Sequence, residues 1–472
     1  MKMYVAGQWI DKSQKIEVRN SYDGSVVDTV PRAESADIER ALQSAERGAR
    51  AMAKLTSYER WKILRRAADL MAARVEELGT LISKEEGKIL AEGRAEVLRA
   101  VDTITESAEE AKRVHGETVA LDAASHGGGK FGVTIRVPCG IVVAISPFNF
   151  PLNLVCHKVG PALAGGNAVI VKPATDTPLS ALRLTEILLE AGLPPEGINT
   201  LTGSGGEIGD WLVADRRVRK ITFTGSRDVG EHICKTAGIK RVTMELGSNA
   251  PVIVMPDANL DKVAAAVAST GYANAGQVCI STQRVLTSSS VYSDFLDALR
   301  PKVAALKTGN QLDPTVNVGP MIKEKEAVRV DEWVKEAVAS GARVITGGTR
   351  QGAMYMPTVV ADVKPNMRIS SDELFGPAVA VTPFTDIDEA IALANDTNYG
   401  LAAGIFTENL EWAWKFAREV QSGNLHVNWG PQWRADRMPY GGLKESGFGK
   451  EGPAYAIEEM TELKMVIFHL QS

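Results

Sequence analysis

The chain is poor in the residues that mark metal centres, covalent cross-links and nucleic-acid surfaces. Its 472 residues include four cysteines and six histidines. The cysteines, at 139, 156, 234 and 279, form no CxxC pair and have no histidine-rich neighbourhood. This argues against a disulfide framework and against a zinc site, and implies a reducing compartment. No basic block interrupts a chain of net charge −5, so a nucleic-acid partner is not expected. No run approaches the roughly 18 apolar residues that span a bilayer, and residues 1–7 lack the apolar core of a signal peptide. The expectation is a soluble, cytoplasmic protein without a membrane partner.

What the chain does have is ordinary globular composition, 44% hydrophobic and 24% charged, at a length that exceeds one core. Two or three domains follow. Residues 1–30 read as short strands around the Asp23-Gly24 turn. Ser35 is a candidate N-cap for a helix to about residue 54. Thr56-Ser-Tyr-Glu59 is a capping box, hydroxyl and carboxylate each satisfying an orphan amide. It opens a helix with Ile63, Leu64, Ala67, Leu70 and Met71 on one face. A third helix is expected over 89–115, ended by Gly116.

From residue 131 the texture changes. Residues 131–137 alternate as a half-buried strand, and 141–145 are continuously apolar, as in a strand covered on both faces. Strands at 168–171, 198–201, 220–223 and 242–246 then alternate with helices at 154–164, 178–191, 206–214 and 228–237. That alternation predicts a parallel sheet with helices on its faces, ligands binding at the strands' carboxyl ends. A second alternating region follows, with strands at 252–255, 343–345, 378–381 and 403–406. Its helices are expected at 259–275, 290–305, 322–340, 386–395 and 409–421. Residues 464–470 form a terminal apolar strand, which must join a sheet.

The candidate chemistry centres on Gly276-Gln-Val-Cys279, after an Ala-rich helical run at 263–276. A thiol attacks as its thiolate, and Glu245, 34 positions upstream, is a candidate general base. Ser146-Pro-Phe-Asn149-Phe-Pro151 follows the buried strand. Its two prolines stiffen a loop whose Asn149 amide can donate to a developing oxyanion.

Seven stretches together resemble the aldehyde dehydrogenase superfamily. They are the Asn149 loop, Gly166-Asn-Ala-Val-Ile-Val-Lys172-Pro173, Phe223-Thr-Gly225-Ser226, Met244-Glu245-Leu-Gly247, the Cys279 segment, Glu373-Leu-Phe375-Gly-Pro377 and Tyr440-Gly-Gly-Leu-Lys444-Glu-Ser-Gly447. They occur in the family's order and cover nearly the whole chain. The resemblance implies an α/β fold with a Rossmann-like NAD(P)-binding domain (1–117 and 138–247), an α/β catalytic domain (248–450) and a β-hairpin oligomerisation arm. The arm (118–137) and the terminal strand (within 451–472) would pair across a homodimer, which could double to a homotetramer.

The resemblance also implies roles. Cys279 is the nucleophile, Asn149 with the Cys279 amide forms the oxyanion hole, and hydride leaves for the nicotinamide. Glu245 then activates water against the thioester. Relatives that transfer the acyl group to coenzyme A lack this glutamate, so a free acid is expected over the CoA-acylating alternative or a non-catalytic structural role. For the cofactor, Lys172 matches the adenosine-ribose lysine, and Gly225, Ser226 and Gly230 match the pyrophosphate turn. Glu373 matches the nicotinamide-ribose carboxylate, and Phe375 packs beside the nicotinamide. Thr175 stands where many NAD-selective members carry glutamate, so NADP is expected to be admitted, with NAD still usable.

At the substrate end, the wording around 150–159 and 245–251 resembles the lactaldehyde and phosphonoacetaldehyde dehydrogenase branch. Arg434 aligns with an arginine that holds an anionic group, and His157 is a candidate for the substrate tunnel. Val278 stands where phosphate-handling and phosphonate-handling relatives tend to carry arginine. With one anchor, a short aldehyde bearing a hydroxyl or one acidic group is expected: lactaldehyde, a semialdehyde or a sulfo-aldehyde.

Overall fold

The apolar run at 141–145 becomes a strand near the middle of an eight-stranded sheet in a computed structural model that describes residues 1–470. Ile198–Thr200, Ala168–Lys172, Ile141–Ile145, Val218–Thr224 and Arg241–Glu245 lie side by side in that order, all parallel. Side chains alternate between the two faces, as a pleated strand dictates. Val142 and Ala144 enter one hydrophobic cluster, while Ile141, Val143 and Ile145 enter the other. The helices Asn153–Ala164 and Leu179–Glu190 cover the first face, Ser35–Lys54 and Gly205–Ala214 the second. Because the five strands are parallel, the segments after residues 145, 172, 224 and 245 all emerge at one edge.

A second sheet of seven strands contains Thr358–Ala361, Ala378–Phe384, Arg284–Ser288, Pro251–Val254, Ala402–Phe406 and Asn424–Val427 in parallel, with Arg343–Thr346 antiparallel at one end. Its faces are likewise buried in two clusters. Cys279 lies in the loop before Arg284–Ser288, and Glu373 before Ala378–Phe384. The second sheet therefore offers its amino-terminal edge where the first offers its carboxyl edge.

Several expectations need correction. The cap of the first helix is Glu34 rather than Ser35; the Asp37 carboxylate accepts from the Glu34 amide at 3.0 Å. A helix at Val75–Glu86 was not anticipated, because only Ala73 and Arg74 separate it from Ser57–Ala72 and neither breaks helical periodicity. The strands Arg284–Ser288, Thr358–Ala361 and Asn424–Val427 were also unforeseen. The chain returns to the first sheet before residue 450, since Gly447–Phe448 pairs with Arg241–Glu245. Thr461–His469 does not need a partner subunit to find a sheet. It pairs along nine residues with Lys130–Pro138 of its own chain, which also takes up Thr118–Val119. Both long strands present matching registers, so pairing within the chain satisfies their inner edges. No described helix is long and apolar enough to cross a membrane.

Candidate active site

The Ala-rich run is helical only as far as Thr270. Beyond it Asn274, Ala275 and Gly276 have φ of +49°, +53° and +69°, three consecutive left-handed residues. Left-handed backbone costs about 1–2 kcal/mol per non-glycine residue, so the turn must be held from outside. Asn274 donates its backbone amide to Glu92 at 3.0 Å and its side-chain amide to Glu86 at 2.9 Å. Gly276 is obligatory, because a Cβ there would run into the Gly376 carbonyl oxygen. The turn ends the helix and delivers Cys279 into a cleft.

Asn149, the candidate oxyanion donor, is tied to the same loop. Asn149 Nδ2 donates to the Gln277 carbonyl at 2.8 Å, which leaves its second N–H free. The Asn149 carbonyl in turn accepts from the buried Lys88 ammonium at 2.6 Å, and Lys88 is ion-paired with Glu96 at 2.8 Å. Glu96 also accepts the amides of Leu152 and Asn153. The junction at residues 86–96 thus fixes both halves of the site.

Glu245 ends its strand and is 3% exposed, and neither carboxylate oxygen has a hydrogen-bond partner among the described residues. Burial raises its pKa well above the carboxylate range, the Glu451 charge adds to this, and Arg434, Lys158 and Lys450 oppose it. Glu451 is held well below that range, against the cost of burial, by Lys158 at 2.8 Å and Arg434 at 3.0 Å. Lys158 also donates to Thr224 at 2.6 Å. Two neighbouring carboxyls are therefore pushed apart, one towards the acid and one towards the anion, a pattern typical of acid–base sites.

The cleft at Cys279 has a volume of about 370 Å³ and takes in Phe150, Val278, Trp433, Arg434 and Arg99 among its walls. That size suits a small molecule. Arg434 is largely spoken for. It pairs with Glu451, lies 3.9 Å over the Tyr440 ring and donates to His157 Nδ1 at 3.1 Å, while its Nε has no partner among the described residues. Arg99, from the helix Leu90–Ala111, has no carboxylate within ion-pair distance among the described residues. His157 does not line the cleft. It is 1% exposed behind Arg434, with Nε2 3.3 Å from Asp436. Burial and the Arg434 charge hold it well below the usual histidine range, so it is neutral. It accepts at Nδ1 and braces the arginine rather than facing a substrate.

The carboxyl edge of the first sheet offers anion-binding groups. Ser226 is the N-cap of Arg227–Ala237, and its hydroxyl caps nothing. Free amides and a partial positive charge at such a terminus suit a diphosphate. Gly230 serves packing, since a Cβ would collide with Leu246. A Cβ on Gly225 would meet Phe223. Lys172 is buried, donates to the Pro173 carbonyl and has no carboxylate within ion-pair distance among the described residues; burial lowers its pKa to about 8. Thr175 donates to the Gly203 carbonyl at 3.1 Å, just before the helix Gly205–Ala214. Glu373 accepts the Ser248 amide at 2.8 Å and is raised by burial to about 7. Phe375, with φ of +48°, packs edge-on to Phe148. This donor set fits a dinucleotide with or without a 2′-phosphate.

The family model described as the aldehyde dehydrogenase family matches residues 9–466. The chain belongs to the aldehyde dehydrogenase family. Among relatives, the 3-sulfolactaldehyde dehydrogenase of Priestia aryabhattai is 47% identical over 468 residues, 99% of this chain and 98% of the relative. The structure of aldehyde dehydrogenase 21 from Physcomitrella patens, in complex with the reaction product succinate, matches with a TM-score of 0.96 and 38% identity, covering 99% and 98% of the two chains. A glyceraldehyde-3-phosphate dehydrogenase from Methanocaldococcus jannaschii, complexed with NADP, matches at a TM-score of 0.94 and 35% identity over 98% and 100%. The protein is thus an oxidoreductase acting on aldehydes.

For an aldehyde dehydrogenase, the residues that sequence reasoning passed over are instructive. Glu86, Lys88, Glu92 and Glu96 are charged residues near helix ends, and nothing in their spacing tells a buried brace from a solvated surface. Arg99 has the same disguise. A sharper signal existed at Lys158 and Glu451. Lys158 sits inside a largely apolar helix, and a buried lysine requires a carboxylate.

Proposed function

We propose that this aldehyde dehydrogenase oxidises a short aldehyde bearing one anionic group, of semialdehyde or sulfo-aldehyde type, to the free carboxylic acid, using NAD or NADP. The observation that carries the reading is the Arg99 guanidinium in the Cys279 cleft, which has no carboxylate partner among the described residues, with Arg434 in the wall of the same cleft. A guanidinium matches planar and tetrahedral oxyanions. Arg434, the anchor foreseen from sequence, is already paired with Glu451, so Arg99 supplies the uncommitted positive charge, which favours an anionic substrate over a merely hydroxylated one. The substrate in the sulfolactaldehyde relative's name and the succinate bound in aldehyde dehydrogenase 21 carry anionic groups of this kind.

The chain's residues then act in turn. The Cys279 thiolate attacks the aldehyde carbon, the S–C bond forms, and the carbonyl π pair moves to oxygen. The free N–H of Asn149 and the Cys279 backbone amide meet that oxyanion. Lys172, Ser226 and Glu373 would hold NAD(P), which when bound accepts the hydride released as the oxyanion collapses to a thioester. Glu245 takes a proton from water, the water oxygen attacks the acyl carbon, and the sulfur leaves as thiolate. Both oxygens of Glu245 are uncommitted, as that role requires.

Comparing kcat/KM for succinate semialdehyde and butanal, without coenzyme A, tests the reading. A preference for the acid of about tenfold or more is expected from one charge-assisted contact. Equal values would contradict it, and product formation that required coenzyme A would favour acyl transfer instead. The free edge of Thr461–His469, with exposed Leu463, Met465, Ile467 and Phe468, supports a homodimer or homotetramer. Sedimentation as a single subunit would contradict that part.

A further inference from the structure

The hydroxyl of Tyr440 lies 3.5 Å from Cys279 Sγ, and that sulfur is its one hydrogen-bond partner among the described residues. Tyr440 is 4% exposed. A buried phenol is normally satisfied, so a tyrosine whose only partner is a cysteine sulfur calls for an explanation. The general alternative is packing, which the ring alone would accomplish.

The placement of Tyr440 is held from two sides. Its backbone forms an antiparallel bridge with Glu451, amide to carbonyl in both directions at 3.1 and 2.7 Å. Glu451 is anchored by Lys158 and Arg434. The Arg434 guanidinium covers the ring face at 3.9 Å, a cation–π contact. The ring therefore cannot turn its hydroxyl away from Cys279 without breaking a buried network.

The sulfur needs a donor. Cys279 sits in a small apolar cluster with Val278, Ile280 and Leu401. Burial raises the thiol towards about 11, and the charges of Glu245 and Glu373 push the same way; the Tyr440 hydrogen bond and Arg434 oppose them. Tyr440 itself is pushed well above the usual phenol range by burial and by Cys279 and Glu245. It keeps its proton, and towards a thiolate it can only donate.

We propose that Tyr440 is a catalytic residue whose hydroxyl donates a hydrogen bond to the Cys279 thiolate, stabilising that attacking form of the sulfur and aiming it into the cleft. The thiol proton passes to solvent through the open mouth, and Tyr440 exchanges none of its own. The hydrogen bond relaxes when the sulfur becomes a thioether-like acyl sulfur and re-forms when the thioester is hydrolysed. Because Arg434 lies on both the ring and the substrate space, an anion bound there would sit against the tyrosine that tunes the nucleophile. The proposal rests on the reading of Cys279 as the nucleophile.

Tyr440→Phe keeps the ring and removes only the donor. The test is the rate of Cys279 alkylation by iodoacetamide as a function of pH, in which the S–C bond forms and iodide leaves. In the variant the midpoint of that profile should move upward by about one unit, which at neutral pH is about a tenfold slower reaction. Ultraviolet titration of the thiolate, corrected with Cys279→Ser, should move with it, and far-ultraviolet circular dichroism should match the wild type. The KM for NADP should be unchanged while kcat/KM for the aldehyde falls. Superimposable alkylation and thiolate profiles in the two proteins would overturn the proposal and leave Tyr440 a packing residue. Aldehyde oxidation that survived Cys279→Ala would instead overturn the nucleophile assignment on which it rests.

Discussion

The side-chain amide of Asn149 donates to the carbonyl of Gln277, two residues before Cys279, at 2.8 Å. One bond therefore joins the carboxyl edge of the first sheet to the amino edge of the second, and sets the proposed oxyanion donor against the proposed nucleophile. The precision of the site depends on the turn that carries Gln277.

That dependence makes Gly276 a sensitive position. Gly276→Ala places a Cβ against the Gly376 carbonyl in backbone of φ +69°. A loss of roughly 2 kcal/mol or more is expected, read as a lower midpoint in urea. Activity should fall further than the folded fraction, because the turn aims both Cys279 and Asn149.

Glu245→Gln should separate acylation from hydrolysis. One equivalent of NAD(P)H should appear per site in a burst, followed by turnover reduced by about a hundredfold or more. In the wild type the carboxyl pKa is raised by burial, so the base is protonated below that pKa and free above it. Deacylation should therefore speed up as pH rises, and the rise should vanish in Glu245→Gln. Stopped-flow absorbance over a pH series measures both.

The cofactor prediction turns on position 175. A glutamate introduced by Thr175→Glu would face a 2′-phosphate with like charge beside Lys172, and kcat/KM with NADP should drop by about a hundredfold while NAD is little affected. Lys172 has its pKa lowered to about 8; it is charged below that pH and loses charge above it. In the wild type the ratio of NADP to NAD specificity should accordingly decline as pH passes about 8.

Much of the frame was legible because the first sheet obeys simple rules. Ile141–Ile145 and the first four residues of Ala168–Lys172 are uninterrupted apolar runs, and Gly192 and Gly238, at φ +99° and +65°, end helices where glycine should. Arg284–Ser288 was not legible, though it lies inside the second sheet, because it begins with a charged residue. Arg284 is buried all the same, its guanidinium donating to the carbonyls of Asn249, Leu393 and Ala394, and no local pattern reveals such remote acceptors. Cys279, Glu245 and Asn149 were singled out through motifs that keep their order along the chain, and the fold brings their loops to one cleft. Arg99, Lys158, Tyr440 and Glu451 matter through the company they keep in space. His157 shows the reverse error, since a histidine near the site by sequence proved to be a neutral prop behind Arg434.

The central claim is that an anionic aldehyde is recognised at Arg99 beside Cys279. The ratio of kcat/KM for succinate semialdehyde to that for butanal, compared between wild type and Arg99→Met, tests it most directly. The account predicts that the substitution lowers the ratio by about tenfold to a hundredfold, almost wholly by weakening the acid, with butanal unchanged. A preference for the acid that survived intact in Arg99→Met would contradict it.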